Sequence, residues 1–181
     1  MMEDKELLDL LEKIATRIIK QRSSKMEEES VKKIEVDMVG VDSPHGIYIY
    51  DPNKDKWVLV RTKGEYFKPD KDGFYVIYFD NTRCPACRIY DLAWYPYVKL
   101  IGSGLENTYF IVVLCDWFAR ECKSEAAKKS FEHYDIHASP TTLLIYVENG
   151  EIKDIEKIEG SKPLDKLAEI IDKFIKKHKK S

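Results

Sequence analysis

The chain carries two hydrophobic patterns, one on either side of Gly73. On the N-terminal side, Leu7, Leu11, Ile14 and Ile18 recur at three- and four-residue intervals, with Leu8, Ala15 and Ile19 beside them. That spacing predicts an amphipathic helix over 4–22. The polar run Ser23–Ser30 reads as a linker. Ile34–Met38 alternates apolar and polar, as a half-buried strand does, and Gly46–Tyr50 and Trp57–Thr62 flank the polar Asp51–Lys56, a predicted hairpin. From Gly73 onward the pattern becomes strand–helix alternation. Phe74–Phe79 is continuously apolar, the mark of a strand buried on both faces. A helix is expected from the cysteine motif that follows to about Ile101, kinked at Pro96. Tyr109–Leu114 predicts a second buried strand, 123–134 a helix and Thr141–Val147 a third strand. Asn149-Gly150 is a two-residue turn signal that returns Ile152–Ile158 antiparallel. Gly160 and Pro163 then open a last helix with Leu164, Leu167, Ala168, Ile171, Phe174 and Ile175 on one face. The class is α/β, with the order β-α-β-α-β-β-α from Gly73. Three segments are expected: a helix and linker (1–30), a strand and hairpin extension packed on the core (31–72), and the core itself (73–181).

Composition narrows the partners. With 181 residues and 44% hydrophobic content the chain can bury one good core but is short for two full domains. A net charge of −2 with acids and bases interspersed leaves no basic field for nucleic acid, and the Lys-rich end from Lys173 is the solvated face of the last helix. No apolar run has the length of a membrane span, and charges interrupt Leu7–Ile19 too often for a signal peptide. A cytoplasmic location without a membrane partner is therefore expected. Charged residues make up 34%, while Gln21 is the one glutamine and Asn occurs four times. That bias follows the hyperthermophile tendency, and disulfides persist in hyperthermophile cytosols.

The candidate chemistry lies directly behind the first buried strand, in Cys84-Pro85-Ala86-Cys87. A cysteine pair at a strand-to-helix junction puts the first thiol at a helix N-terminus, where unpaired N–H groups and the macrodipole favour an anion. The thiolate attacks a substrate disulfide, and the second cysteine, one turn on, resolves the mixed disulfide. Pro85 suits a first helical turn because it has no N–H to leave unpaired. Arg83 adds a neighbouring positive charge expected to tune Cys84 toward its thiolate. A Cys₄ zinc site from Cys84, Cys87, Cys115 and Cys122 is the competing reading, but six residues between Cys115 and Cys122 is an unusual ligand spacing. Cys115 and Cys122 are either two buried small hydrophobes or a structural disulfide clipping Asp116–Glu121.

With these residues in place, Gly73–His178 resembles the thioredoxin superfamily: a buried strand, Cys-x-x-Cys, helix, strand, helix, and then the block Tyr134–Glu151 containing Ser139-Pro140-Thr141. Alone, Pro140 would read as a proline opening a strand. The resemblance implies a thioredoxin-like fold, a central mixed β-sheet flanked by helices, here with the N-terminal helix and β-hairpin as an extension. It implies a thiol:disulfide oxidoreductase without a cofactor, acting on protein disulfides and an electron donor or acceptor. Cys84 would be the nucleophile and Cys87 the resolving thiol. A cis bond before Pro140 would let Ser139, Pro140 and Thr141 present backbone to an extended substrate. Three positions depart from the family pattern. The buried Asp six residues before the first cysteine is Tyr78, the aromatic residue before that cysteine is Arg83, and the proline of the motif has moved to Pro85, as in glutaredoxin-type or oxidising members. The loss of that Asp supports an alternative, an interaction module with a vestigial or regulatory redox pair. The N-terminal helix, too short for an independent coiled coil, is expected to pack on its own domain or on a second protomer, making a homo-oligomer.

Overall fold

The computed structural model describes residues 4–31 and 34–179, and only the backbone of 26–31. Its centre is β4 (Gly73–Asn81), a strand in which every residue is buried. The reason is visible in its alternation. Phe74, Val76 and Tyr78 enter one core, and Tyr75, Ile77 and Phe79 enter another on the opposite face. Helices α2 (Pro85–Leu100) and α4 (Leu164–Lys179) cover the first face, with Tyr90, Trp94, Ile171 and Phe174 in that core. Helix α3 (Glu125–His133) covers the second with Ala127 and Phe131. A strand sandwiched this way has no solvent face, so the continuous apolar run follows from its position.

β5 (Thr108–Cys115) runs parallel to β4, from Phe74 opposite Thr108 to Asn81 opposite Cys115. On the other side β6 (Thr141–Glu148) pairs antiparallel with β4, and β7 (Glu151–Glu159) with β6. Asn149 and Gly150 join β6 to β7 with φ of 55° and 74°, the left-handed pair that a two-residue turn requires. Both turn N–H groups donate to the Asp72 carboxylate at 2.9 Å.

The segment before Gly73 continues the same sheet. β2 (Gly46–Asp51) and β3 (Lys56–Arg61) form the expected hairpin, and β2 lies antiparallel on the outer edge of β5. The seven-stranded order is β1-β3-β2-β5-β4-β6-β7. Without β2, β5 would present an unpaired edge. The strand expected over 34–38 is shorter than predicted: β1 is Glu35–Val36, paired with β3.

The N-terminal segment corrects the reading of 23–30 as a linker. Helix α1 runs unbroken from Asp4 to Val31. Lys25, Met26 and Glu27–Glu29 are good helix formers, and the run has neither Gly nor Pro to stop it, so polarity alone was a poor signal of a loop. Pro96 lies within α2, which continues past it to Leu100. Among the described residues no helix is long and apolar enough to cross a membrane.

Candidate redox site

β4 ends at Asn81, and the chain turns through Thr82 and Arg83 into α2. The turn is held by the Cys84 N–H donating to Asn81 O at 3.2 Å. Cys84 is the N-cap of α2 in an extended conformation, and Pro85 occupies the first turn. In place of the usual hydroxyl or carboxylate cap, the Cys84 sulfur accepts the Cys87 N–H at 3.1 Å. The same N–H also donates to Cys84 O at 3.1 Å, so one first-turn donor is shared between that carbonyl and Sγ, beside which it favours negative charge. Both cysteines are free thiols and almost closed to solvent, Cys84 at 4% and Cys87 at 0% exposure.

The turn before β6 faces this pair. Ser139–Pro140 is a cis peptide bond. The Cys84 thiol lies 3.5 Å from Ser139 O, and Cys87 Sγ lies 3.0 Å from Ser139 Oγ. Ala138 and Ser139 are half-exposed, whereas Pro140 and Thr141 are buried. The Thr141 hydroxyl donates to Ala138 O at 2.7 Å, and Pro140 O accepts the Gly160 N–H at 2.8 Å. Thr141 therefore braces the turn, and the residues of it left half-exposed are Ala138 and Ser139. His137 is turned away, exposed and beside Asp135.

Beneath Cys87 lies a partly buried polar cluster that sequence reasoning missed. Asp80 is fully buried and pairs with Arg88 Nη2 at 2.6 Å. Arg88 Nε stands 3.0 Å from Asp91 Oδ2, and the Tyr78 hydroxyl donates to Asp91 Oδ1 at 2.9 Å while lying 3.2 Å from Cys87 O. Loss of hydration, reinforced by the Asp91 charge and opposed by Arg88, pushes the Asp80 carboxyl up to about 7. Burial also pushes the Cys87 thiol up, and the Asp80 charge adds to that. Asp80 sits two residues beyond Tyr78, hence on the same face of β4 and one pleat closer to the cysteines. The signal for it in the sequence is a carboxylate closing a six-residue apolar run.

Asn81, also missed, ties the site to the next loop. Its side-chain amide donates to Ser139 Oγ at 2.9 Å and accepts the Phe118 N–H at 2.7 Å. That loop, Asp116–Glu121, is closed at its base by a disulfide between Cys115 and Cys122. The four cysteines are thus divided into one bonded and one free pair. Asp116 accepts from the Thr82 hydroxyl at 2.5 Å and lies 3.0 Å from His45 Nε2. Because His45 Nδ1 accepts the Lys123 N–H, the imidazole proton is on Nε2 and faces Asp116. The Thr82 hydrogen bond, with the nearby His45 and Arg83, holds the Asp116 carboxyl below its ordinary value. Arg83 pairs with Glu121 and lies 3.9 Å from Asp116, so its charge is shared with the loop.

No family model matches the sequence, and no curated protein matches it. Among solved structures, the thioredoxin of Aeropyrum pernix is similar at 15% identity and a TM-score of 0.48, over 74% of this chain and 98% of that one. Trichomonas vaginalis thioredoxin shares 20% identity at 0.43, over 56% and 79%, and chloroplastic thioredoxin z shares 17% at 0.41, over 57% and 79%. What defines the architecture is the connectivity of the chain itself. A parallel β4–β5 pair, a cysteine pair where β4 enters α2, and the β6–β7 hairpin entered through Ser139–Pro140 stand in one sheet.

Proposed function

We propose that this chain, whose fold is thioredoxin-like, is a thiol:disulfide oxidoreductase acting on protein disulfides. The observation that carries the reading is the placing of two free thiols, one capping α2, against the half-exposed Ser139, with a buried carboxylate behind the second. In this mechanism the Cys84 thiolate attacks one sulfur of the substrate disulfide. The substrate S–S bond breaks, a Cys84–substrate bond forms, and the second substrate sulfur leaves as thiolate. The Cys87 N–H is positioned to stabilise Cys84 while it is anionic. Arg83 adds long-range positive charge, moderated by Glu121 and Asp116.

Resolution needs Cys87 as a thiolate, and its buried thiol resists ionisation. Asp80 is the group suited to accept that proton, since its carboxyl is poised near neutrality, and Arg88 stays beside it in either state. Cys87 then attacks Cys84 Sγ, releasing the reduced substrate and leaving a Cys84–Cys87 disulfide. An external dithiol returns the pair to the reduced state. Ala138 and Ser139 would hold the substrate as an added strand, which gives affinity with little demand on sequence.

The test is turnover. With dithiothreitol as electron source, wild type should reduce a model protein disulfide and Cys84→Ser should fall to the uncatalysed rate. Activity unchanged in Cys84→Ser would overturn the proposal in favour of an interaction module.

A further inference from the structure

Helix α1 turns a complete apolar face to solvent. Leu7, Leu8, Leu11, Ile14, Ile18 and Ile19 are each 43–68% exposed. The opposite side is charged, with Lys13 paired to Asp9 at 2.7 Å. At 28 residues the helix is about 42 Å long, and its main approach to the sheet is at β3. Apolar side chains of this number and exposure amount to an area on the order of the ~800 Å² per partner that a specific interface buries.

The charges in line with this face indicate what covers it. Asp4, Leu7, Leu11, Ile14, Ile18 and Arg22 follow one another at three- and four-residue steps, so an acid closes one end of the apolar stripe and a base closes the other. Laying the stripe antiparallel on a copy of itself, with Leu7 opposite Ile19, brings Asp4 opposite Arg22 twice, once at each end. A parallel pairing would set Asp4 on Asp4 and Arg22 on Arg22. A membrane surface fits less well, because Asp9 and Glu12 share the polar side with Lys13 and Lys20, whereas helices lying on membranes carry a Lys/Arg-rich polar face. We infer that α1 is a self-association helix that pairs antiparallel with α1 of a second copy of this chain, aligned by Asp4–Arg22 contacts. The inference is independent of the redox reading.

Sedimentation of the full chain at micromolar concentration should give twice the 21.2 kDa of one chain. Leu11→Glu combined with Ile14→Glu keeps good helix formers in α1 and should weaken association by at least ~100-fold with helical circular dichroism retained. Asp4→Arg and Arg22→Asp should each weaken it about fivefold at low salt, and the two together in one chain should restore it. A monomeric wild type, a dimer indifferent to the Leu11/Ile14 pair, or a charge swap that does not restore binding would overturn the assignment. So would wild type remaining monomeric and cosedimenting with phosphatidylserine-containing vesicles.

Discussion

Asp80 makes the sharpest residue-scale prediction. Its carboxyl is raised from 3.8 to about 7 in the folded chain, so folded Asp80 retains a proton that the unfolded chain sheds. By linkage, this site's contribution to stability is complete below about pH 4 and is lost as pH climbs through about 7. Asp80→Asn should therefore gain stability relative to wild type between pH 5 and pH 8, on the order of a few kcal/mol. Urea unfolding at the two pH values measures this. A difference that does not change with pH would show that Asp80 is not held protonated. The same substitution should slow resolution of the mixed disulfide and remove a rate inflection near pH 7, followed by single-turnover release of substrate. The cysteines and the Pro140 turn were legible because their order along the chain is distinctive. Asp80 was not, because a pleated strand repeats its face every second residue, so a carboxylate at position 80 reaches the side of β4 on which the family pattern places one at 78.

At the scale of elements, the loop behind the site is the part the sequence left open. Cys115 and Cys122 could have been two packed thiols, and their seven-residue separation did not decide it; in the structure they close the loop whose Phe118 N–H binds Asn81. Replacing both with Ser should cost about 2–3 kcal/mol, the loop-closure contribution of a short ring, seen as a lower urea midpoint. Exchange through Cys84 should persist, and a double variant without exchange activity would make the loop part of the chemistry. Asn81→Ala should cost a further ~1–3 kcal/mol, because Phe118 N–H and Ser139 Oγ lose a shared partner. An unchanged melting temperature would mean that this tie is not structural. Strands and turns with a local cause were readable in advance: β4 from its apolar run, and the Asn149-Gly150 turn from its tolerance of positive φ. The end of α1 was not, because charged helix formers and polar loop residues look alike until a breaker separates them.

For the whole molecule, one sheet places every part of the site. β4 carries Asp80 and Asn81 to its end, α2 starts there with Cys84, and β6 begins beside β4 where Ser139 turns toward the thiols. The extension before Gly73 enters the same sheet through β2, and its His45 reaches Asp116 beside the cysteine turn. That long-range placement was invisible in the sequence because edge pairing depends on which strand is left uncovered. The proposal that this assembly performs disulfide exchange is tested most directly by trapping its intermediate. Cys87→Ser, incubated with an oxidised protein substrate and analysed by intact mass without reductant, should accumulate a covalent adduct that maps to Cys84 and is released by dithiothreitol, while Cys84→Ser should form none. Absence of an adduct from Cys87→Ser, or an equal yield from Cys84→Ser, would contradict it.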